Sequence, residues 1–395
     1  MQKRWEVGSE FDWLNDYVML SGTHTLLPED YELFSTGSAC LLSLEPLLNQ
    51  NQGHRLRLHI PSFLCMHFVA QLKTVFDCFW YRDLPTQEYP DFNSLNTLPG
   101  DLVLAVNLFG VREGRIWQDW LIEHDNIILI EDHSHDPFSS WAQQSTAHYA
   151  MASLRKTLPI PDGAIIWSPR KMKLPKASSS MPSAADKRLT AMLLKRAYLS
   201  GANISKDRYR QLEIESGIEL DDQNNSVVSS FTSNILSCLN ISEFRRQRET
   251  NVRQFLNWSL TETHPLWMPL FTSWQEGSVP FNSIIVCQST DIRDSLRKYL
   301  IGQNIFPAIH WEQSTKETSS NDPLAIDLAN RILTIPTDQR YSFDDVSRVT
   351  KKIKTFFNQF NSQKSLTPSL SPKLGRGEED DSNPPSPTLG EGVRG

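Results

Sequence analysis

The stretch Ile127-Ile128-Leu129-Ile130-Glu131-Asp132-His133-Ser134-His135 sets four consecutive aliphatic residues directly before a cluster of titratable side chains. A continuous apolar run, rather than an alternating one, marks a strand covered on both faces, as in a parallel sheet flanked by helices. Such a strand delivers the residues that follow it to its carboxyl end, where open α/β sheets gather their ligands. Working outward, the runs 56–60, 78–81, 102–107, 150–154 and 164–167 read as further strands. Helical stretches fall between them at 38–48, 65–73 and 117–124. This alternation predicts a doubly wound α/β domain.

Further along, 187–210 is basic and reads as helical, followed by the polar run Asp221-Asp222-Gln223-Asn224-Asn225. A long helix is expected over 229–258; its Arg245-Arg246-Gln247-Arg248 reads as a solvated face. A mixed pattern then predicts strands at 282–288, 305–311 and 331–335 and helices at 291–302 and 343–357. Ser342 is placed to cap the last helix, with Asp344 and Asp345 in its first turn. The expected division is a large domain over 1–240, a small α+β domain over 241–360 and a low-complexity tail over 361–395. That tail repeats Ser-Pro-x-Leu-Gly-x-Gly at 371–377 and 386–392 around an acidic run, a composition too poor in apolar residues to offset its ordering entropy.

Composition narrows the function. The 395 residues are 39% hydrophobic and 22% charged, which suits globular domains rather than wholesale disorder. No run approaches the roughly 18 apolar residues of a membrane span, so membrane insertion is not expected. The formal charge of −7 offers no basic footprint for nucleic acid. The start, Met1-Gln2-Lys3-Arg4-Trp5-Glu6, lacks the apolar core of an export signal, and the five cysteines form no Cys-x-x-Cys pair. A cytoplasmic protein with reduced thiols, no disulfide framework and no zinc site is the expectation.

Four segments carry candidate chemistry. Thr36-Gly37-Ser38-Ala39, just before a helical run, is either an anion cradle of backbone N–H groups or a plain N-cap. The segment Glu131 to His135 has three readings: a metal site through His133 and His135, an Asp132 carboxylate held beside a cationic ring, or a surface turn. In Ala152-Ser153-Leu154-Arg155-Lys156-Thr157-Leu158-Pro159-Ile160-Pro161-Asp162-Gly163, a strand enters a punctuated turn. Lys156 is there either a solvated surface amine or, if desolvated beside Arg155, a neutral amine suited to Schiff-base chemistry. Finally, Asp338 and Arg340 in Pro336-Thr337-Asp338-Gln339-Arg340-Tyr341 form a structural ion pair, or else Arg340 holds an anionic substrate group.

Taken in order, these segments resemble the DegT/StrS family of pyridoxal-phosphate (sugar) aminotransferases. The match runs from about Phe34 to Phe357 through Thr36-Gly37-Ser38-Ala39, Pro61-Ser62-Phe63, Asn107-Leu108-Phe109-Gly110 and Ile130-Glu131-Asp132 with His135. It continues through the lysine segment, Arg245-Arg246 with Asn251, His310-Trp311, and Ile332 to Tyr341. Ser153 lies three residues before Lys156 where the family usually has five, and Gly163-Ala164 replaces Gly-Gly. This Ser-Leu-Arg-Lys-x-Leu-Pro form resembles a less-characterised branch.

The resemblance implies a fold-type I architecture, with a large, mostly parallel, mixed seven-stranded sheet and a small α+β C-terminal domain, usually in homodimers. It implies pyridoxal 5'-phosphate as cofactor. Lys156 would bond the cofactor covalently and move protons, Asp132 would pair with its pyridine nitrogen, and His135 would sit near the ring. Thr36, Gly37, Ser38 and Ser153 would hold the phosphate, and Phe63 or Phe109 would stack on the ring. The implied reaction passes an amino group, commonly from glutamate, to a keto-sugar linked to a nucleotide, in a role such as surface polysaccharide assembly. Two alternatives remain at this level: other carbanion chemistry on the same cofactor, such as a dehydration, and a non-catalytic binding or regulatory descendant.

Overall fold

The structure, a computed structural model, describes residues 3–13, 26–49, 53–180, 182–221, 225–313 and 318–365. The tail from residue 366 and the residues 222–224 lie outside these.

Five parallel strands, in the spatial order Asp77–Tyr81, Arg57–Pro61, Leu102–Val106, Ile128–Asp132 and Tyr149–Ala152, form most of the main sheet. Ala164–Trp167 and then Glu32–Phe34 add antiparallel. Two-residue strands at Ser226–Val227 and Ser179–Ser180 extend the sheet to nine. Leu102–Val106 is buried along its whole length, as its unbroken apolar run requires. Helix Arg115–Glu123 covers it by turning Trp117, Trp120 and Leu121 inward, the i, i+3, i+4 spacing of a single face.

Register decides where the chemistry falls. Val106 is opposite Asp132, and Asp132 is opposite Met151. The carboxyl ends of three neighbouring strands are therefore level, and Asn107, Asp132 to His135 and Ser153 emerge along one edge.

A second sheet, antiparallel in the order Trp267–Pro269, Ser283–Cys287, Ile332–Ile335, packs with helices Thr290–Ile301 and Phe343–Ser365 around Ile285, Leu296, Leu333, Val349 and Ile353. The N-terminal residues Val7–Gly8 pair in parallel with Ile305–Phe306 and add Val7 to this second core.

Several sequence expectations change. The expected helix 38–48 breaks at Ser43 into Gly37–Leu42 and Leu44–Leu48; Pro46 in the second piece lacks an N–H to bond backward. The basic stretch 187–210 divides at Gly201, whose φ of +98° turns the chain between helices Pro182–Leu199 and Lys206–Asp221. The expected helix 229–258 splits at Asn240, whose side chain accepts from the Glu243 N–H and starts helix Ile241–Thr261. The final helix reaches Ser365, past the expected tail boundary at 361. Ser342 caps it as expected, exchanging hydrogen bonds with Asp345.

The turn that carries Lys156 is tied down by Asp162. Its buried carboxylate accepts from the Ser229 N–H at 2.7 Å, the Ser229 hydroxyl at 2.7 Å and the Thr232 hydroxyl at 2.6 Å. Gly163 follows at φ +123°, where a Cβ would lie 2.9 Å from the Thr232 methyl. Asp162→Ala strands the Ser229 N–H and hydroxyl and leaves the Thr232 hydroxyl only the residue-162 carbonyl at 3.2 Å. The expected loss is about 2–3 kcal/mol of unfolding free energy, read from urea denaturation; an unchanged midpoint would show that the turn is held otherwise.

Candidate active site

Lys156 lies between two cavities. The smaller, about 430 Å³, is lined by Thr36, Gly37, Ser38, His67, Phe68, Asp132, Ser134, Met151, Ser153, Arg155, Lys156 and Asp221. The larger, about 860 Å³, has Lys156, Arg155, His135, Arg248, Phe281, Asn282, His310, Asp338 and Arg340 in its wall, together with the N-terminal residues Gly8 to Phe11. Sequence positions more than a hundred residues apart thus meet around one amine.

Burial is the main influence on that amine. It lowers the Lys156 pKa from the ordinary lysine value, against opposing attraction from Asp132 and Cys65 and with a smaller contribution from Arg155. Lys156 makes no hydrogen bond to a described residue; its nearest assigned contact is the face of Trp311, 6.0 Å from Nζ to the ring centroid. A desolvated amine without an acceptor is poised to react, unlike the solvated lysine of the alternative reading.

In the smaller cavity, Asp132 Oδ1 accepts from the Ser134 N–H at 2.8 Å and the Ser134 hydroxyl at 2.5 Å. Ser134 Oγ in turn accepts from the Ser153 N–H at 2.9 Å, locking two strand ends together. Oδ2 of Asp132 takes no hydrogen bond from any described residue. At the other end, Thr36 Oγ1 caps the Ala39 N–H, and the Ser38 hydroxyl donates to Gln71 Oε1. The Ser38 hydroxyl proton is therefore committed elsewhere, which leaves the backbone N–H groups of Gly37 and Ser38 and the Ser153 hydroxyl. Gly37 packs so closely that a Cβ would fall 3.2 Å from Ser153 Cβ. Arg155 completes this end: its Nε is buried and has no hydrogen-bond partner among the described residues, while Glu10, Asp162 and Asp221 act on it through space.

In the larger cavity, His135 Nδ1 accepts from the Phe109 N–H at 2.9 Å, which puts the ring proton on Nε2. Its ring is stacked on Phe109, 5.5 Å between centroids and 3° between planes, and near Trp311 and Phe281. Burial, then Lys156 and His310, holds His135 well below the usual histidine pKa. Burial and Lys156 likewise bring His310 down to about 3.

Three expectations are corrected. Phe63 and Phe109 line neither cavity; they pack with each other and with Trp311 behind His135, because the Phe109 backbone turns through φ +58° to support that imidazole. His67 and Phe68 line the smaller cavity instead. Arg340, although in the larger cavity's wall, is spent: Nε and Nη2 grip both oxygens of Asp338, and Nη1 donates to the Ser9 and Glu10 carbonyls. It is the structural ion pair of the two readings. Finally, only Arg246 of the arginine run is a solvated side chain, paired with Glu243. Arg248 falls seven residues after Ile241 and four after Phe244, on the inward face, and is 3% exposed. The metal reading of His133 and His135 also lapses: His133 turns away to Glu131 Oε2 at 3.0 Å and packs on Trp141 and Trp167.

No family model matches the chain, and no curated protein matches it. Solved structures do. Spr1654 from Streptococcus pneumoniae in its apo-form superposes with a TM-score of 0.62 at 12% identity, over 91% of this chain and all of that one. Helicobacter pylori PseC, an aminotransferase involved in the biosynthesis of pseudoaminic acid, gives 0.59 at 11% identity over 90% and 100%. S. venezuelae DesV, solved in complex with a ketimine intermediate, gives 0.54 at 13% identity over 82% and 84%. The fold is that of the fold-type I aminotransferases. At such identities the likeness speaks for the backbone, and the side chains must make their own case.

Two buried neutral imidazoles beside Lys156 have a consequence for acid stability. Unfolded histidine takes up a proton below about pH 6.5, whereas folded His310 resists until about pH 3. The unfolded state therefore binds more protons in that window, and each such histidine removes up to about 1.4 kcal/mol per pH unit as pH falls. His310→Asn, which keeps a partner for Thr334 Oγ1, should flatten the decline in unfolding free energy between pH 6.5 and 5 by nearly one proton. An unchanged slope would mean His310 is protonated in the folded protein.

Proposed function

We propose that the protein is a pyridoxal-phosphate-dependent aminotransferase acting on a keto-sugar or related small ketone. The observation that carries this is the Lys156 amine, partly buried, without a hydrogen bond to a described residue, and shared between a cavity holding Asp132 and a second, larger one.

The residues present fit that cofactor at each of its ends. The orphaned buried Nε of Arg155, the open backbone donors of Gly37 and Ser38 and the Ser153 hydroxyl form a donor set for a phosphate dianion. Asp132, with one oxygen fixed by Ser134 and the other unengaged, is placed to accept from a protonated ring nitrogen. Pyridoxal phosphate, bound through a lysine, supplies an electron sink that weakens the bonds at a substrate amine-bearing carbon.

The chain's own groups do the rest. Burial raises the fraction of neutral Lys156, which acts as nucleophile and then as the base that lifts and returns a proton. His135 and His310 stay uncharged and so do not compete with Lys156 for that proton. Ser134 prevents Asp132 from swinging away from its place on the sheet edge. The solved neighbours, among them the sugar aminotransferase Spr1654 in its PLP- and PMP-forms and the aminotransferase PseC, support the same reading. A homodimer in the cytoplasm, with a large domain over 1–240 and a small one from 241, belongs to this reading too.

The test is optical. Protein incubated with pyridoxal phosphate should turn yellow, glutamate should bleach the band, and Lys156→Ala should never develop it. Asp132→Asn should keep some cofactor but lose on the order of a hundredfold or more in turnover. A wild-type protein that stays colourless would overturn the assignment.

A further inference from the structure

The larger cavity carries more positive charge than its own carboxylates neutralise. Glu10 is paired with Arg188 at 3.0 Å, and Asp338 is held at both oxygens by Arg340. Arg248 is left over. It is held rigidly by neutral acceptors: Nε and Nη2 donate to Gln339 Oε1 at 3.1 and 2.7 Å, and Nη2 also donates to the Thr157 carbonyl at 2.8 Å. Gln339 Nε2 donates to the same carbonyl at 2.7 Å, which braces the acceptor. Nη1 makes no hydrogen bond to a described residue. The nearby carboxylate of Asp136 is already committed to Arg245 and to the Val279 N–H.

A guanidinium that is 3% exposed, oriented on two sides by uncharged groups and open on the third, is costly to keep unless an anion completes it. The cavity wall adds other donors with no assigned acceptor. Nδ2 of Asn282 is one, since only its Oδ1 is engaged, by the Thr337 N–H. The Nε2 proton of His135 is another.

We propose that Arg248 is the carboxylate-binding residue of the larger cavity, and that the carboxylate of the acidic amino donor already implied by the family resemblance seats against the Arg248 Nη1. The proposal rests on the aminotransferase reading for the word donor, but the anion site itself does not. One open guanidinium edge beside neutral donors favours a small planar carboxylate over the larger, more highly charged diphosphate of a nucleotide-linked acceptor, which shares the need for a cation. Gln339 is the positioning residue that aims Arg248.

The test uses the purified full chain and calorimetric titration with glutarate, a dicarboxylate without an amine to react, alongside dimethyl glutarate and inorganic diphosphate. Wild type should bind glutarate and not the ester. Arg248→Gln should weaken glutarate at least about tenfold, Arg248→Lys should restore part of the loss, and Arg246→Gln on the solvated side of the same helix should match wild type. Lys156→Ala should still bind glutarate. If Arg248→Gln does not fold, the wild-type contrast between acid and ester, also read as a glutarate-specific rise in Tm, decides. Equal binding of acid and ester, unchanged glutarate binding by a folded Arg248→Gln, or a loss confined to diphosphate would overturn the proposal. Glutarate binding by a protein that never turns yellow would instead remove the aminotransferase reading and leave the anion site standing.

Discussion

The desolvation of one amine organises this molecule. Lys156 is brought into a low-dielectric junction by a turn that cannot relax, because Asp162 fastens it to Ser229 and Thr232 while the Gly163 N–H donates to the Ser35 carbonyl. Loosening any of these ties would let water reach the amine, and the Lys156 pKa would rise back toward the ordinary lysine value. The level carboxyl ends of the parallel strands then determine what the amine faces: Asp132 from one strand, Ser153 from the next, His135 just beyond. Packing of the sheet and chemistry of the site are therefore one constraint rather than two.

The charges around this junction divide into those that hold the fold and those left for ligands. Arg340 with Asp338, Arg188 with Glu10 and Arg245 with Asp136 are pairs with at least one buried member, which removal of its partner would strand. Arg340 also reaches the Ser9 and Glu10 carbonyls, so the same ion pair that lies in the cavity wall clamps the N-terminal residues over it. Arg155 and Arg248 differ in having no carboxylate partner at hydrogen-bond distance among the described residues, and both line the larger cavity together with Lys156. Two guanidiniums without a carboxylate partner, close to an amine whose pKa is lowered, suit the binding of anionic ligands better than a purely structural core.

Much of this was legible in the residues. The unbroken run Ile127 to Ile130 and the apolar run at 102–107 announced buried parallel strands, and Asp132 and Lys156 stood where strand ends deliver side chains. Breaks inside helical stretches were less legible: Ser43, Gly201 and Asn240 interrupt runs whose composition alone is compatible with continuous helices. The strand Glu32–Phe34 was missed because three residues carry no periodicity, and it exists only by pairing with Ala164–Trp167. Arg248 was hidden for a related reason. In a run of three arginines, the inward one is distinguished only by its spacing from Ile241 and Phe244, and that spacing gains meaning once helix Ile241–Thr261 is known to start at Asn240.

By itself, the order of residues determined the class of fold, the parallel sheet and the candidacy of Asp132 and Lys156, since apolar runs and turn residues act locally. Tertiary structure decided which side chains remain free. Whether Phe109 touches a ligand or supports His135 and whether Arg248 meets water or a cavity depend on partners 26 and 91 positions away, and Arg340 adds to its near neighbour Asp338 the Ser9 and Glu10 carbonyls 331 and 330 positions away. Only packing brings those partners within hydrogen-bond reach.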